Sequence, residues 1–246
     1  MNTNYTFPGL LNSANTKFNN RPAYAFVGEK PMTYGEVKSH VDSLIAMLEK
    51  LDIIPGDKVG LLSANMPNWG VTYFAITSMG AVVVPMLPDF STTEISNVIE
   101  HSEMKALFVS AALKNRINES SISKVNSIIS IDDFAIIRGN REVSFDKKVI
   151  SKTKYDVKET DLASIIYTSG TTGKSKGVML SHKNICFTAD KSRTVQPVND
   201  QDRFLSVLPL SHTYENTLGL ILPMYGGACV YYLKKLPTPA VLLPAL

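Results

Sequence analysis

With 246 residues, 19% of them charged, and a net charge of +3, the chain can bury a sizeable core and shows no charge excess that demands nucleic acid or an acidic membrane as partner. Its two cysteines, Cys186 and Cys229, sit in apolar surroundings and are too few for a disulfide framework, which points to a reducing, cytoplasmic compartment. Residues 1–18 lack a basic stretch followed by an apolar one, so no signal peptide is read there, and the most apolar span, 218–233, is too short for a membrane helix and carries Pro223, Gly226 and Gly227.

The first strong local signal is Thr33-Tyr34-Gly35-Glu36, a capping box, followed by Val37, Val41, Leu44, Ile45, Leu48 and Leu51 at helical spacing. Pro55-Gly56-Asp57 ends that helix in a turn, and Lys58-Val59-Gly60-Leu61-Leu62 reads as a strand. Asn65-Met66-Pro67 opens a helix with proline in its first turn, running to Met79-Gly80 and yielding to the strand Ala81-Val82-Val83-Val84. Ser91-Thr92-Thr93-Glu94 is a second capping box, heading a helix to about His101, and residues 105–109 form a fourth strand-like run. Residues 111–160 are less regular: 125–129 suggests a short strand, and the charges from Asp132 to Lys148 suggest a surface excursion. Sheet structure resumes at Leu162. A helix is expected from Ser181 or His182 to about Lys191, then a strand over 204–208, an apolar helix near 214–224 and a strand over 228–232. No internal repeat is visible. Strands alternating with helices of ten to fifteen residues imply α/β architecture, with mostly parallel sheets flanked by helices.

Residues 167–178, Tyr-Thr-Ser-Gly-Thr-Thr-Gly-Lys-Ser-Lys-Gly-Val, say most about function. Five hydroxyls sit among three glycines, with Lys174 and Lys176 close behind. Glycines let backbone N–H groups turn inward around an anion, hydroxyls add donors without bulk, and lysine adds a mobile charge. A solvated Ser/Thr/Gly turn is the ordinary alternative for such composition. A P-loop is a second alternative, because Gly173-Lys174-Ser175 fits its end, but that pattern requires glycine where Thr168 stands.

The whole string resembles the phosphate loop of the adenylate-forming superfamily, roughly [YF]-T-S-G-T-T-G-x-P-K-G-V, departing from it only at Ser175, where proline is usual. Ile54-Pro55-Gly56-Asp57-Lys58-Val59 with Asn65-Met66-Pro67, Gly80-Ala81-Val82-Val83-Val84-Pro85, and Leu208-Pro209-Leu210-Ser211-His212-Thr213-Tyr214-Glu215 resemble further family segments, the last one that of long-chain acyl-CoA synthetases. The resemblance covers nearly the whole chain and is weakest over 111–155.

The resemblance implies an ATP-dependent ligase that converts a carboxylic acid, a long-chain fatty acid on the evidence of the last motif, to an acyl-adenylate and passes it to coenzyme A. It assigns the triphosphate to Thr168, Ser169, Gly170, Thr171, Thr172, Gly173 and Lys176, and places His212 beside the acyl carboxylate. Mg²⁺ would arrive with ATP, since no cluster has metal-ligand spacing. A lone histidine is more often structural, and His182 is read as a structural helix-start residue, His40 and His101 as helix-surface residues. Peripheral membrane contact is compatible with a fatty-acid substrate. The family's later motifs for Mg²⁺, ribose and a mobile C-terminal domain are not found, and the apolar segment opening at Thr238-Pro239 meets no stop signal. Residues 1–246 are therefore expected to be the front part of a large N-terminal AMP-binding domain, inactive alone. The competing function is a free-standing ATP or acyl binder without chemistry of its own.

Overall fold

The computed structural model describes residues 4–168 and 176–245. Two sheets organise it. The larger has seven strands: β3 (Lys58–Leu62), β4 (Val82–Met86), β5 (Ala106–Val109), β6 (Ser127–Ser130), β7 (Ile136–Gly139), β8 (Leu162–Thr168) and β9 (Lys176–Ser181). Their order across the sheet is β7-β6-β5-β3-β4-β8-β9, parallel throughout except for the two antiparallel edge strands β7 and β9. The smaller sheet joins β1 (Pro22–Phe26), β2 (Met32–Thr33), β10 (Arg203–Ser206) and β11 (Cys229–Tyr232) in the order β10-β11-β1-β2, with only β2 antiparallel. The expected α/β class with mostly parallel sheets is what forms.

The helices are α1 (Phe7–Phe18), α2 (Tyr34–Lys50), α3 (Pro67–Ser78), α4 (Thr92–Ser102) and α5 (His182–Ser192). They are followed by a continuous helical stretch of α6 (Thr213–Glu215), a π-helical turn (Asn216–Ile221) and α7 (Leu222–Gly226), and later by the short α8 (Pro239–Leu242). Both capping boxes form as read: Thr33 with Glu36, and Ser91 with Glu94. Helix α3 is buried on every side from Trp69 to Ser78 because it lies between the sheets, touching β4 of one and β1 of the other. That explains its uniform apolarity where a surface helix would show a stripe. The main core runs from Phe7 and Leu10 through Trp69, Tyr73 and Phe108 to Val230 and Tyr232, so both sheets share it. β4 is buried along its whole length and β3 from Val59 onward, as parallel strands covered on both faces must be.

Several elements depart from the sequence reading. Helix α1 has no counterpart in the sequence reading, because Pro8, Gly9, Asn12 and Asn15 lower its intrinsic propensity. It forms because Thr6 caps it, accepting from the Gly9 N–H at 3.2 Å, and because Phe7, Leu10, Leu11 and Ala14 bury one face. β1 and β2 likewise have no counterpart there. The segment 131–145 is not merely a surface excursion: Ile131 and Phe134 are buried and Val143 and Phe145 pack on the core, the Phe134 and Phe145 rings lying 4.7 Å apart. Leu162–Thr168 does not lead through its loop directly into a helix; β9 intervenes. Among the described residues no helix is long and apolar enough to cross a membrane.

Candidate functional site

Parallel sheets offer binding positions beyond the carboxyl ends of their strands. Both candidate motifs leave from such ends. β8 and β9 pair antiparallel, with Thr168 opposite Lys176 and Tyr167 opposite Gly177. Thr168 and Lys176, both exposed, therefore face each other across the mouth of the intervening loop. Ser169, Gly170, Thr171, Thr172 and Gly173, the rest of the expected triphosphate site, lie outside the described residues. Gly177 is required by space: a Cβ there would stand 2.8 Å from Ile165 Cγ2. Sequence reading put Lys176 in the loop; it is the first residue of β9.

His212 follows the end of β10 in the smaller sheet. The chain turns at Pro209, whose carbonyl accepts the His212 N–H at 2.9 Å, and His212 then caps α6, its Nδ1 accepting from the Tyr214 N–H at 3.3 Å. The imidazole is exposed. The turn it leaves from is held by a partly buried polar network that sequence reading did not find. Asn65, in the loop after β3, donates from Nδ2 to Ser206 Oγ (2.9 Å) and to the Leu208 carbonyl (2.7 Å), and its Oδ1 accepts from the Leu210 N–H (2.8 Å). Ser206 Oγ donates in turn to Glu215 Oε1 at 2.6 Å. Burial pushes the Glu215 carboxyl above its ordinary range, the Ser206 hydroxyl opposing part of that shift. Glu215 folds back over Gly219, where a Cβ would meet its Oε1 at 2.5 Å.

A cavity of about 210 Å³ lies between the β8–β9 hairpin, α5 and the start of the helical stretch after His212. Ile166 of β8 and Leu180 of β9 form one wall, Asn184, Ile185 and Thr188 of α5 another, and Thr213, Asn216 and Thr217 a third. Ile166 stands two residues before Thr168, and Thr213 directly follows His212. Asn216 Nδ2 is buried at the cavity without a hydrogen-bond partner among the described residues. A mainly apolar slot with hydroxyls and one free amide donor suits a slender molecule carrying an acceptor.

The other histidines are placed elsewhere. His182 is fully buried at the start of α5; its Nδ1 accepts from the Phe7 N–H at 3.2 Å, and burial lowers its pKa to about 4, against a raising influence of Asp161. It is structural, as expected. His40 lies against the edge of Phe145. His101 is exposed at the end of α4, yet it contacts Tyr167 at the root of the phosphate-loop motif. Cys186 and Cys229 are buried and unpaired, with burial pushing the Cys186 thiol up to about 12. Among the described residues no group of three His, Cys, Asp or Glu side chains could hold a metal ion.

These features define a class: a two-sheet α/β protein whose candidate site lies at the carboxyl ends of its parallel strands. Residues 11–246 match the family model described as AMP-binding enzyme, and the chain belongs to that family. It is 30% identical over 239 residues to the peroxisomal long chain acyl-CoA synthetase 7 of Arabidopsis thaliana, covering 87% of this chain and 33% of that protein. It is 26% identical over 259 residues to the 3-[(3aS,4S,7aS)-7a-methyl-1,5-dioxo-octahydro-1H-inden-4-yl]propanoyl:CoA ligase of Rhodococcus jostii (strain RHA1), covering 96% of this chain and 49% of that one. The chain thus spans a third to a half of the length of these relatives. O-succinylbenzoate coenzyme A synthetase (MenE) of Bacillus subtilis, solved with AMP, shares the fold with a TM-score of 0.74 at 22% identity, covering 95% of this chain and 57% of that one.

Proposed function

We propose that residues 1–246 are the front part of the large N-terminal domain of a cytoplasmic, ATP-dependent CoA ligase that activates a carboxylic acid, a long-chain fatty acid by preference. The observation that supports this reading is the cavity lined by Ile166 and Leu180 of the β8–β9 hairpin and by Thr213, the residue after His212. In this reading Thr168, Ser169, Gly170, Thr171, Thr172, Gly173 and Lys176 hold the triphosphate. Each charge-assisted hydrogen bond contributes about 1.5–3 kcal/mol. His212 stands beside the acid's carboxylate, and the cavity lined by Thr188, Thr213 and Thr217 receives the start of its chain.

The carboxylate oxygen attacks the α-phosphorus, the bond from that phosphorus to the bridging oxygen breaks, and pyrophosphate leaves with the electron pair. Charge builds on the departing phosphates, where hydroxyl, amide and lysine donors are most useful. Coenzyme A sulfur then attacks the acyl carbon and AMP departs. Mg²⁺ is expected to enter with ATP. The preference for a fatty acid is supported by the 208–215 stretch and by the similarity to the Arabidopsis synthetase; the Rhodococcus ligase's fused-ring acid shows how widely related ligases vary. The 246 residues alone are expected to bind ATP without forming adenylate.

The test is ATP–pyrophosphate exchange by the complete protein with long-chain, medium-chain and aromatic acids. Exchange that depends on a long-chain acid is the expected result. Exchange only with aromatic acids would overturn the substrate assignment, and none with any acid would overturn the enzymatic reading.

A further inference from the structure

We propose that Asn65 is a positioning residue for His212, holding from the opposite sheet the turn out of which the imidazole projects. This rests on the proposed role of His212 beside the acid.

Asparagine before a helix commonly caps it or bonds within its own loop. Asn65 does neither. The cap of α3 is Met66, with no side-chain hydrogen bond, and all three bonds of the Asn65 carboxamide cross to the end of β10 and the segment that follows it. Both amide protons and one oxygen lone pair are used, which only a carboxamide of this length can supply: aspartate has no donor. The bonds bracket the turn, reaching Ser206 and Leu208 before Pro209 and the Leu210 N–H after it. Ser206 passes the constraint on to Glu215 at 2.6 Å, one helical turn past the His212 cap. The backbone of His212 is thus gripped on both sides. Its N–H donates to Pro209, inside the turn Asn65 holds, and its carbonyl accepts from Asn216, inside the helix Glu215 anchors. Since β3 and β10 belong to different sheets, Asn65 also sets the imidazole in the frame of the large sheet, from which the phosphate-loop motif leaves.

The test is a double-mutant cycle in the complete protein. Asn65→Ala and Asn65→Asp should each lower the pyrophosphate-exchange rate at saturating acid about tenfold or more, with the KM for ATP within about twofold. In a His212→Ala background, Asn65→Ala should cost less than about twofold, because its effect is transmitted through the imidazole. Independently of activity, Asn65→Ala should shift the His212 Cε1–H NMR signal and leave those of His40, His101 and His182 in place. Equal losses in both backgrounds, or an unmoved His212 signal, would overturn the proposal. Absence of exchange by the parent protein with every acid would instead sink the functional reading, and the NMR signal alone would then decide whether Asn65 positions His212.

Discussion

The Tyr167 hydroxyl lies 2.7 Å from His101 Nδ1, with the two rings edge to face at 87°. Tyr167 is buried in the second core cluster and is the residue before Thr168, whereas His101 lies in the last turn of α4. The contact therefore ties a helix terminus to the strand from which the phosphate-loop motif leaves. Tyr167→Phe keeps the packing and removes one hydrogen bond, at an expected cost of about 1 kcal/mol, or about 2–4 °C in melting temperature for a chain of this size. His101→Ala in the Tyr167→Phe background should add little. Calorimetry on the single and double variants checks this, and fully additive shifts would show that the two residues act separately.

The stability of the fold should depend on pH through His182. Burial holds its folded pKa near 4, below the ordinary 6.5, so the folded state favours the neutral ring that accepts from Phe7. The contribution is complete above pH 6.5 and is lost as pH falls towards 4, where the unfolded chain gains a proton that the folded one resists. A shift of this size corresponds to about 3 kcal/mol. His182→Asn retains an acceptor for the Phe7 N–H and does not titrate. Urea midpoints between pH 7 and 4.5 should fall less steeply in the variant than in the parent, and parallel slopes would refute the assignment.

What could be read in advance was local. The capping boxes, the turn at Pro55-Gly56 and the phosphate-loop string declare themselves within a few residues. β9 stayed hidden because its burial does not alternate cleanly and its pairing comes from β8 alone. The segment around Phe134 and Phe145 was masked by neighbouring charges, although its aromatic rings complete the core. In the sequence Asn65 stands out only as part of a motif. Its role depends on partners more than 140 positions away, and no local pattern encodes that. Glu215 closes the same motif as His212, but nothing in the sequence shows that it would be buried over a glycine.

That glycine leads to a further expectation. Alanine normally favours a helical interior over glycine by about 1 kcal/mol. At Gly219 the added methyl would meet Glu215 Oε1 at 2.5 Å and Cδ at 2.6 Å, and Glu215 is buried and held by Ser206. Gly219→Ala should therefore destabilise by about 1–3 kcal/mol, the usual range for overpacking. Combining it with Glu215→Ala should recover part of the loss. Chemical denaturation of the three variants checks the sign, and a stabilised Gly219→Ala would mean that Glu215 moves aside freely.

The two halves of the proposed site should separate kinetically. Lys176 faces the loop mouth opposite Thr168, while His212 leaves a turn of the other sheet. With ATP at ten times its dissociation constant, ligand binding should stabilise the protein by about 1.4 kcal/mol. Lys176→Ala should erase most of that shift, because it removes the lysine proposed to hold the phosphates, whereas His212→Ala should retain it. In the complete protein the order should reverse for the acid: His212→Ala should raise the apparent KM for the acid or slow adenylate formation about tenfold or more, since misplacing one reacting group is costly. Thermal shift with ATP and exchange kinetics with a varied acid provide the two readouts. Loss of the ATP response in His212→Ala, with unchanged acid kinetics, would place the histidine on the nucleotide. A variant that fails to fold would show that its cap on α6, through the Tyr214 N–H, is its main contribution.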